Sequence, residues 1–528
     1  MLRGTVLNIG STLSDRQAIW AFVLGCLAVT AGVLLHIPMF MMGRYTGFNL
    51  AGMEIGWDMI LGMGLIIGGC LVAAYGLLPR NLAQQRAQSA SIEISAPEDA
   101  HLGRPHWMLM AVLIVALIID TMKPASLGFT IDGMKHEYAV DQAHASLVPF
   151  FALVGTVVGS VVWGLLADVY GRKATILLSA VMFVGTSICG AMPSLAWNVG
   201  MCFMMGAAAG GMLPVTYALL AEMMPNKHRG WALVLVGGLG AGGGYLAASG
   251  AAYYLVPLLS WRILWLLNLP TGLTLVLLGR FIPESAKFLL ARGRAVEAQA
   301  VMKTFGSVAR RVRAPAVQER GSHGVLKGMH LYGKLTALSL TALTWSFVNF
   351  GLLLWLPAHL RDQGYSVVVA NGLLTKSALI AIPMALVCAA VYSLWSTKWS
   401  LTGTIAIMFA GLLGILRLEL FGGGNPVLPF ALLIVGVNGI VAIILPYTAE
   451  SFPLRVRGRA TGWIAACTKA GGVIAQALVI TRNLPAIGVV AAAVLAPTAV
   501  ALVLVAWFGR ETRGRDLRTL DQEERAVA

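Results

Sequence analysis

The sequence predicts an all-α polytopic membrane protein: two pseudo-symmetric six-helix bundles behind an extra amino-terminal two-helix hairpin, fourteen transmembrane helices in all. Three observations carry this. Of 528 residues, 58% are hydrophobic and 12% charged, with a mean hydropathy of +0.78, whereas a soluble globular chain carries about 25% charged residues. Apolar stretches of the roughly 20 residues needed to cross a bilayer recur fourteen times. And residues 221–230, "AEMMPNKHRG", return as 449–458, "AESFPLRVRG": Ala221/Ala449, Glu222/Glu450, Pro225/Pro453, Arg229/Arg457 and Gly230/Gly458 share one offset of 228.

The elements follow in order. Spans near 18–41 and 57–78 form the hairpin, residues 1–82; the first continues into "HIPMFMMGR" with no small-residue cleavage site, so it reads as a retained helix. Residues 83–104, rich in Ala, Ser and Gln, read as a cytoplasmic linker. Spans near 107–130, 146–167, 174–194, 197–221, 231–256 and 262–282 make a first bundle, residues 105–282. A central loop, 283–334, separates it from spans near 335–358, 371–394, 401–418, 427–448, 460–481 and 486–508. These make the second bundle, 335–508, ahead of a tail, 509–528. Lipid offers backbone groups no partners, so each span is expected to be a helix.

Charge placement sets topology. From Arg280 to Lys334 there are eleven Lys or Arg against Glu284, Glu297 and Glu319. "ADVYGRK", "PNKHRG" and "PLRVRGR" fall on the same side, which places them, and both core termini, in the cytoplasm; the lack of a disulfide framework and the compact loops fit a bacterial inner membrane. Topology and anionic headgroups thus explain the net charge of +15 without nucleic acid.

All six cysteines lie inside spans without CxxC spacing, so neither a disulfide framework nor a thiolate metal site is implied. His36, Met39, Met41, Met42 and Met53 in the hairpin are soft ligands in kind, but they have no fixed ligand geometry. No metal or cofactor is expected beyond a proton as coupling ion, and the hairpin is expected to pack on the core or meet a protein partner. The chain has no nucleophile–base pair, GxxxxGKS or HExxH, which argues against an enzyme.

Within "GLLADVYGRKATI" (164–176), Gly164 and Gly171 permit close helix approach and a tight turn. Asp168 is expected in a short connection beside Arg172 and Lys173, where a carboxylate can cap a neighbouring helix and pair with an arginine. Made in one conformation and broken in another, that contact is a latch; a plain charged loop is the competing reading. The stretch resembles the signature loop of the major facilitator superfamily, Gly-x-x-x-Asp-x-x-Gly-Arg-Lys, complete at Gly164, Asp168, Gly171, Arg172 and Lys173. "PESAKFLLARGR" (283–294), which carries Glu284, "AESFPLRVRGRATG" and "GRETRGRDL" (509–517) resemble elements of its sugar-porter-like members. "WSFVNFGLLLWLP" (345–357) resembles the seventh helix of the metabolite:proton symporter branch.

The resemblance covers roughly residues 105–520 and implies a secondary-active transporter working by alternating access, with a substrate cavity between the two halves. Glu222, Arg229, Glu450 and Arg457, symmetrically placed, read as gate or latch residues, with plain helix-end salt bridges as the alternative. Departures from the family pattern narrow the choice. Cys202 stands where many members carry an Arg, and "SLWSTKWSLTG" (393–403), the second copy of the signature loop, keeps Lys398 as its only charge. The Gly-Pro pattern of drug exporters and the glutamine pair of hexose carriers are both missing, which favours an importer of small metabolites.

Charges inside spans point to chemistry, because a charge at the bilayer centre costs at least ~2.5–3.5 kcal/mol. Asp120 and Lys123 lie mid-span, three residues apart and so on one helix face. The run Asp120-Thr121-Met122-Lys123 resembles the Asp-Gly-x-Asp that aromatic-acid and related symporters often show in this helix, with the second acid replaced by a base. Lys469 lies near the middle of a later span, while Lys376 lies near a span end, where snorkelling accounts for it. Asp120 either forms a permanent pair with Lys123 or exchanges a proton as the cavity alternates access.

Two cations against one acid favour an anionic substrate, an organic or aromatic acid taken up with protons. Tyr217, Trp345, Asn349 and Asn438 are candidate cavity-lining residues, each equally at home in helix packing. An efflux antiporter or a carrier of a cationic or neutral metabolite is the alternative. A transporter-fold receptor or assembly factor is a third reading.

Overall fold

The computed structural model describes residues 16–77, 92–95, 101–291, 294–311, 329–422, 425–452, 454–481 and 487–513. Most of the expected linker, part of the central loop and most of the tail lie outside them. Among the described residues fourteen helical spans are long and apolar enough to cross a membrane. The hairpin is α1 (Gln17–Thr46) and α2 (Trp57–Leu77). The first half comprises α3 (Arg104–Glu137), α4 (Gln142–Gly164), α5 (Arg172–Ala191), α6 (Leu195–Met223), α7 (Lys227–Leu259) and α8 (Ile263–Phe281). The second comprises α9 (Leu331–Asp362), α10 (Val367–Leu394), α11 (Thr397–Phe421), α12 (Val427–Ser451), α13 (Ala460–Ile480) and α14 (Ile487–Phe508). The chain is an integral membrane protein.

Three apolar cores organise these helices. The largest crosses from the first half into the second. Another fills the side of the first half nearest the basic loops. The third joins the hairpin to α5 through residues such as Phe22, Val29, Ile66, Leu178 and Val181. The effect on α5 is large: its most apolar stretch is 94% buried, against 33% for α11, its counterpart in the second half. The hairpin therefore covers with protein a face that the second half leaves exposed.

The glycine-rich α7 sits between the halves. A Cβ on Gly244 would lie 2.6 Å from Thr121 Cβ of α3, so only glycine allows that approach. On its other side Gly238 and Gly242 face Ala385, Ala442 and Asn438 of the second half.

Several boundaries differ from the sequence expectation. The helix that carries α4 runs from Leu147 to Tyr170, so Asp168 occupies its last turn rather than a connecting loop. Its side chain, like that of Arg457, lies outside the described residues. Among the described residues nothing lies within 4 Å of a Cβ on Gly164, which therefore serves no close approach. Residues Ile92–Ser95 (β1) of the expected linker pair antiparallel with Val308–Arg311 (β2) of the central loop. Within α9 the residues Val348–Leu352 widen into a π turn, a distortion often found at functional sites.

Candidate functional site

The site begins with the charges buried between the halves. Asp120 on α3 is 8% exposed, and its Oδ1 has no hydrogen-bond partner. Lys469 on α13, half-buried, makes no hydrogen bond or ion pair among the described residues; its Nζ lies 5.7 Å from the Phe350 ring centroid. Asp120 lies within electrostatic reach of both Lys469 and Lys123. Lys123 is not in contact with Asp120, however. Its Nζ is buried without a hydrogen-bond partner, 3.0 Å from the Phe183 ring centroid on α5. The helix turns 100° per residue, so Leu117 and Thr121 face α7 while Lys123 points back into the first half. The two lysines expected together are thus separated, and Lys469 alone approaches Asp120 from the second half.

The other lining candidates divide. Tyr217, on α6, and Asn438, on α12, have a hydroxyl and a side-chain Nδ2 that are buried without partners. Asn349 is half-buried on the π turn. Trp345 spends its indole N–H on the Val437 carbonyl at 2.8 Å, a helix–helix bond. The wide turn frees the Phe350 carbonyl to accept from Gln476 Nε2 at 2.5 Å, tying α9 to α13, the helix of Lys469. Lys376 is exposed.

At the end bearing the basic loops the gate candidates form two copies of one device. In the first half, Glu284 Oε1 accepts from the backbone N–H of Arg172 at 2.9 Å and of Lys173 at 3.4 Å. It thereby caps the helix that starts at Arg172, where a carboxylate is favoured by the helix dipole. Gly171 is required there: its φ is +97° and the Glu284 carboxylate occupies the place a Cβ would take. Glu222 accepts from Arg172 Nη2 at 3.1 Å and from the Ser285 hydroxyl.

In the second half Glu511 accepts from the N–H of Thr397 at 3.0 Å and from the Ser396 hydroxyl. Glu450 accepts from the Tyr392 hydroxyl at 2.6 Å and from Thr512 Oγ1 at 3.0 Å. Glu284-Ser285 and Glu511-Thr512 thus do the same work, and the Tyr392 hydroxyl gives Glu450 the bond that the Arg172 guanidinium gives Glu222. Arg172, Lys173, Glu222 and Glu284 all bond within one half. The contact between halves lies beside them, where Gly230 places its Cβ position 3.1 Å from Glu450 Oε1. Arg229 is half-buried on the same turn. Tyr392 and Glu511 carry no signal in the sequence taken singly; the alignment of "IPES" with "GRET" would have found Glu511.

At the opposite end, sequence reasoning missed the principal contacts. Asp132 on α3 pairs with Arg361 on α9 across the two halves. Glu137 accepts from Arg262 Nη2 at 2.6 Å, from Trp261 Nε1 at 2.9 Å and from the backbone N–H of Leu50, in the α1–α2 loop, at 2.7 Å. Arg262 is fully buried and also donates to the Met192 carbonyl at 2.9 Å. Burial pushes the neighbouring Tyr138 hydroxyl up to about 12. These residues sit at span ends, where charges are common and carry no special signal in a sequence.

The profile of the Major Facilitator Superfamily matches residues 106–476. The chain is 26% identical over 448 residues to a niacin transporter of Acinetobacter baylyi, covering 81% of this chain and 99% of that protein. It is 29% identical over 289 residues to a 4-hydroxybenzoate transporter of Pseudomonas putida, covering 50% and 61%. The fold is similar to that of the proton:xylose symporter XylE bound to 6-bromo-6-deoxy-D-glucose, with a TM-score of 0.63 at 16% identity over 79% of this chain and 98% of that one.

Proposed function

We propose that this chain, which belongs to the Major Facilitator Superfamily and is a transporter rather than an enzyme, carries a small aromatic monocarboxylate into the cell together with protons. The observation that carries this reading is the split placement of Asp120 and Lys469. Asp120, buried, sits on α3 and Lys469, half-buried, on α13, in electrostatic reach and without hydrogen bonds among the described residues. Groups on two bodies that rock against each other exchange partners as the bodies move. A substrate carboxylate neutralises Lys469, whose isolation as a half-buried cation inside a span is costly. A proton on Asp120 removes the opposing charge while the gap is closed, and its release follows when the gap opens to water. Phe350, its ring centroid 5.7 Å from Lys469 Nζ, places an aromatic side chain beside that cation.

The relatives support the same class, since niacin and 4-hydroxybenzoate are each one aromatic ring bearing one carboxylate. The positive-inside rule puts the basic end in the cytoplasm of a bacterial inner membrane, with the Asp132–Arg361 end outside.

The test is uptake of labelled nicotinate and 4-hydroxybenzoate into proteoliposomes with an imposed proton gradient. Wild type is expected to accumulate at least one of them, and only while the gradient lasts. Asp120→Asn should lose accumulation yet still exchange internal for external acid, and Lys469→Ala should lose both. Accumulation by Asp120→Asn equal to wild type, or full transport by Lys469→Ala, overturns the reading.

A further inference from the structure

The hairpin and both halves meet around one cavity of about 470 Å³ at the end opposite the basic loops, within the ~300–1,000 Å³ usual for small-molecule sites. Two of its lining residues are charged, Asp132 and Arg361, and they are each other's partners. The Arg361 side chain is 33% exposed and that of Asp132 is 12% exposed, so the guanidinium is the one an incoming solute reaches. The imidazole of His136, 3.7 Å from Asp132 and largely exposed, also neighbours that carboxylate.

Three aromatic residues line the same space: Phe48 from the hairpin loop, and Phe129 of α3 and Trp261, just ahead of α8, from the first half. Trp261 is held by its bond to Glu137 and by the Arg262 guanidinium, 4.7 Å from its ring centroid. Phe48 is fixed by a left-handed backbone, with φ +64°. Its N–H donates to the Gly43 carbonyl at 2.5 Å, and its ring centroid lies 5.1 Å from that of Phe40. A bulky residue in that region is strained, and the strain lies where the hairpin touches the cavity.

We infer that this cavity is a second binding site for the substrate class of the reading above, on which the choice of ligand rests. The carboxylate docks on Arg361 in exchange for Asp132, and the ring lies against Phe48, Phe129 and Trp261. The planar guanidinium fork suits a carboxylate in two-point contact, and a solute carboxylate replaces Asp132 without leaving Arg361 unpaired. The exchange also removes the ion pair that ties α3 to α9, next to the point where Gly128 meets the Leu354 backbone. Arrival of substrate therefore loosens that end. The hairpin loop supplies one wall through Gly47 and Phe48.

The experiment is equilibrium dialysis of labelled nicotinate and 4-hydroxybenzoate against the purified full chain. The variants are Lys469→Gln, Arg361→Gln, Arg361→Lys, Asp132→Asn and the double variant Lys469→Gln/Arg361→Gln. Lys469→Gln is expected to keep one bound acid per chain, which the double variant loses. Asp132→Asn should bind about fivefold more tightly, the upper range for a partly exposed ion pair; a misfolded protein cannot produce a gain. Arg361→Lys should retain weakened binding. Loss of all binding in Lys469→Gln, with a single site in wild type, overturns the second site and leaves the proposed transport reading standing. A single site lost only with Arg361 supports the second site and overturns the central one. Asp132→Asn binding no more tightly than wild type overturns the exchange.

Discussion

Glu284 and Glu511 hold equivalent places in the two halves and titrate in opposite directions. Burial pushes the Glu284 carboxyl up, against the N–H groups of Ser285, Lys173 and Arg172 that pull it down. Glu511 also feels burial, but the Ser396 hydroxyl and the N–H groups of Arg513 and Thr397 outweigh it and hold the carboxyl below its ordinary value of 4.5. The signs follow from linkage. Glu511, lowered in the folded state, contributes stability that is present above its ordinary value and is lost as pH falls through the folded one. Glu284, raised in the folded state, favours folding most in acid and progressively less as pH rises from its ordinary range through the folded value. Melting temperatures across the acid range check this: the advantage of wild type over Glu511→Gln should grow with pH, while its advantage over Glu284→Gln should shrink. A reversed order would refute the assignment of the two caps. Asp120, Lys123 and Lys469 were legible as charges in apolar spans. Their directions were not, because a side chain's aim depends on which face its helix buries.

The hairpin shows what sequence spacing does and does not fix. Gly25 and Gly32 on α1, and Gly62, Gly69 and Gly76 on α2, recur every seven residues. Each α1 glycine backs onto an α2 glycine: a Cβ on Gly25 would lie 2.6 Å from the Gly69 carbonyl oxygen, and one on Gly32 would lie 2.5 Å from that of Gly62. Small residues at such a seam let backbones touch. Gly69→Leu is therefore expected to cost about 1–3 kcal/mol through forced separation of the two helices, read as a lower melting temperature of the full chain. Gly64→Leu is the control, because nothing lies within 4 Å of a Cβ there; equal losses from both would sink the seam. The heptad spacing stands in the sequence, whereas the docking of the pair onto α5 does not. Of the soft ligands of the hairpin, Met39 is buried and His36 Nδ1 donates to the Gly32 carbonyl at 2.8 Å, whereas Met41 and Met42 are exposed.

Across the whole molecule the halves touch at both ends. Gly230 meets Glu450 and Tyr392 at the basic end, and Asp132 meets Arg361 at the other. A transporter that alternates access must break one closure at a time, so a wedge at one end should trap the other shut. Gly230→Leu is expected to hold the basic end apart and abolish uptake without lowering the melting temperature much. Alkylation of Ser451→Cys, a buried position at that end, should speed up in Gly230→Leu; unchanged labelling with full uptake would show that the contact is no gate.

The sequence by itself determined the class, the number of spans, the duplication and the family. Each of these rests on local hydropathy or on motifs that survive without knowledge of neighbours. Tertiary structure alone decided that Lys123 turns away from Lys469, that Glu284 caps the helix starting at Arg172, and that Asp132 finds Arg361. It also decided that an added hairpin both covers α5 and lines a cavity. The physical reason is one of range: burial in lipid is a property of each stretch of chain, whereas the partner of a charge is set by how remote helices pack.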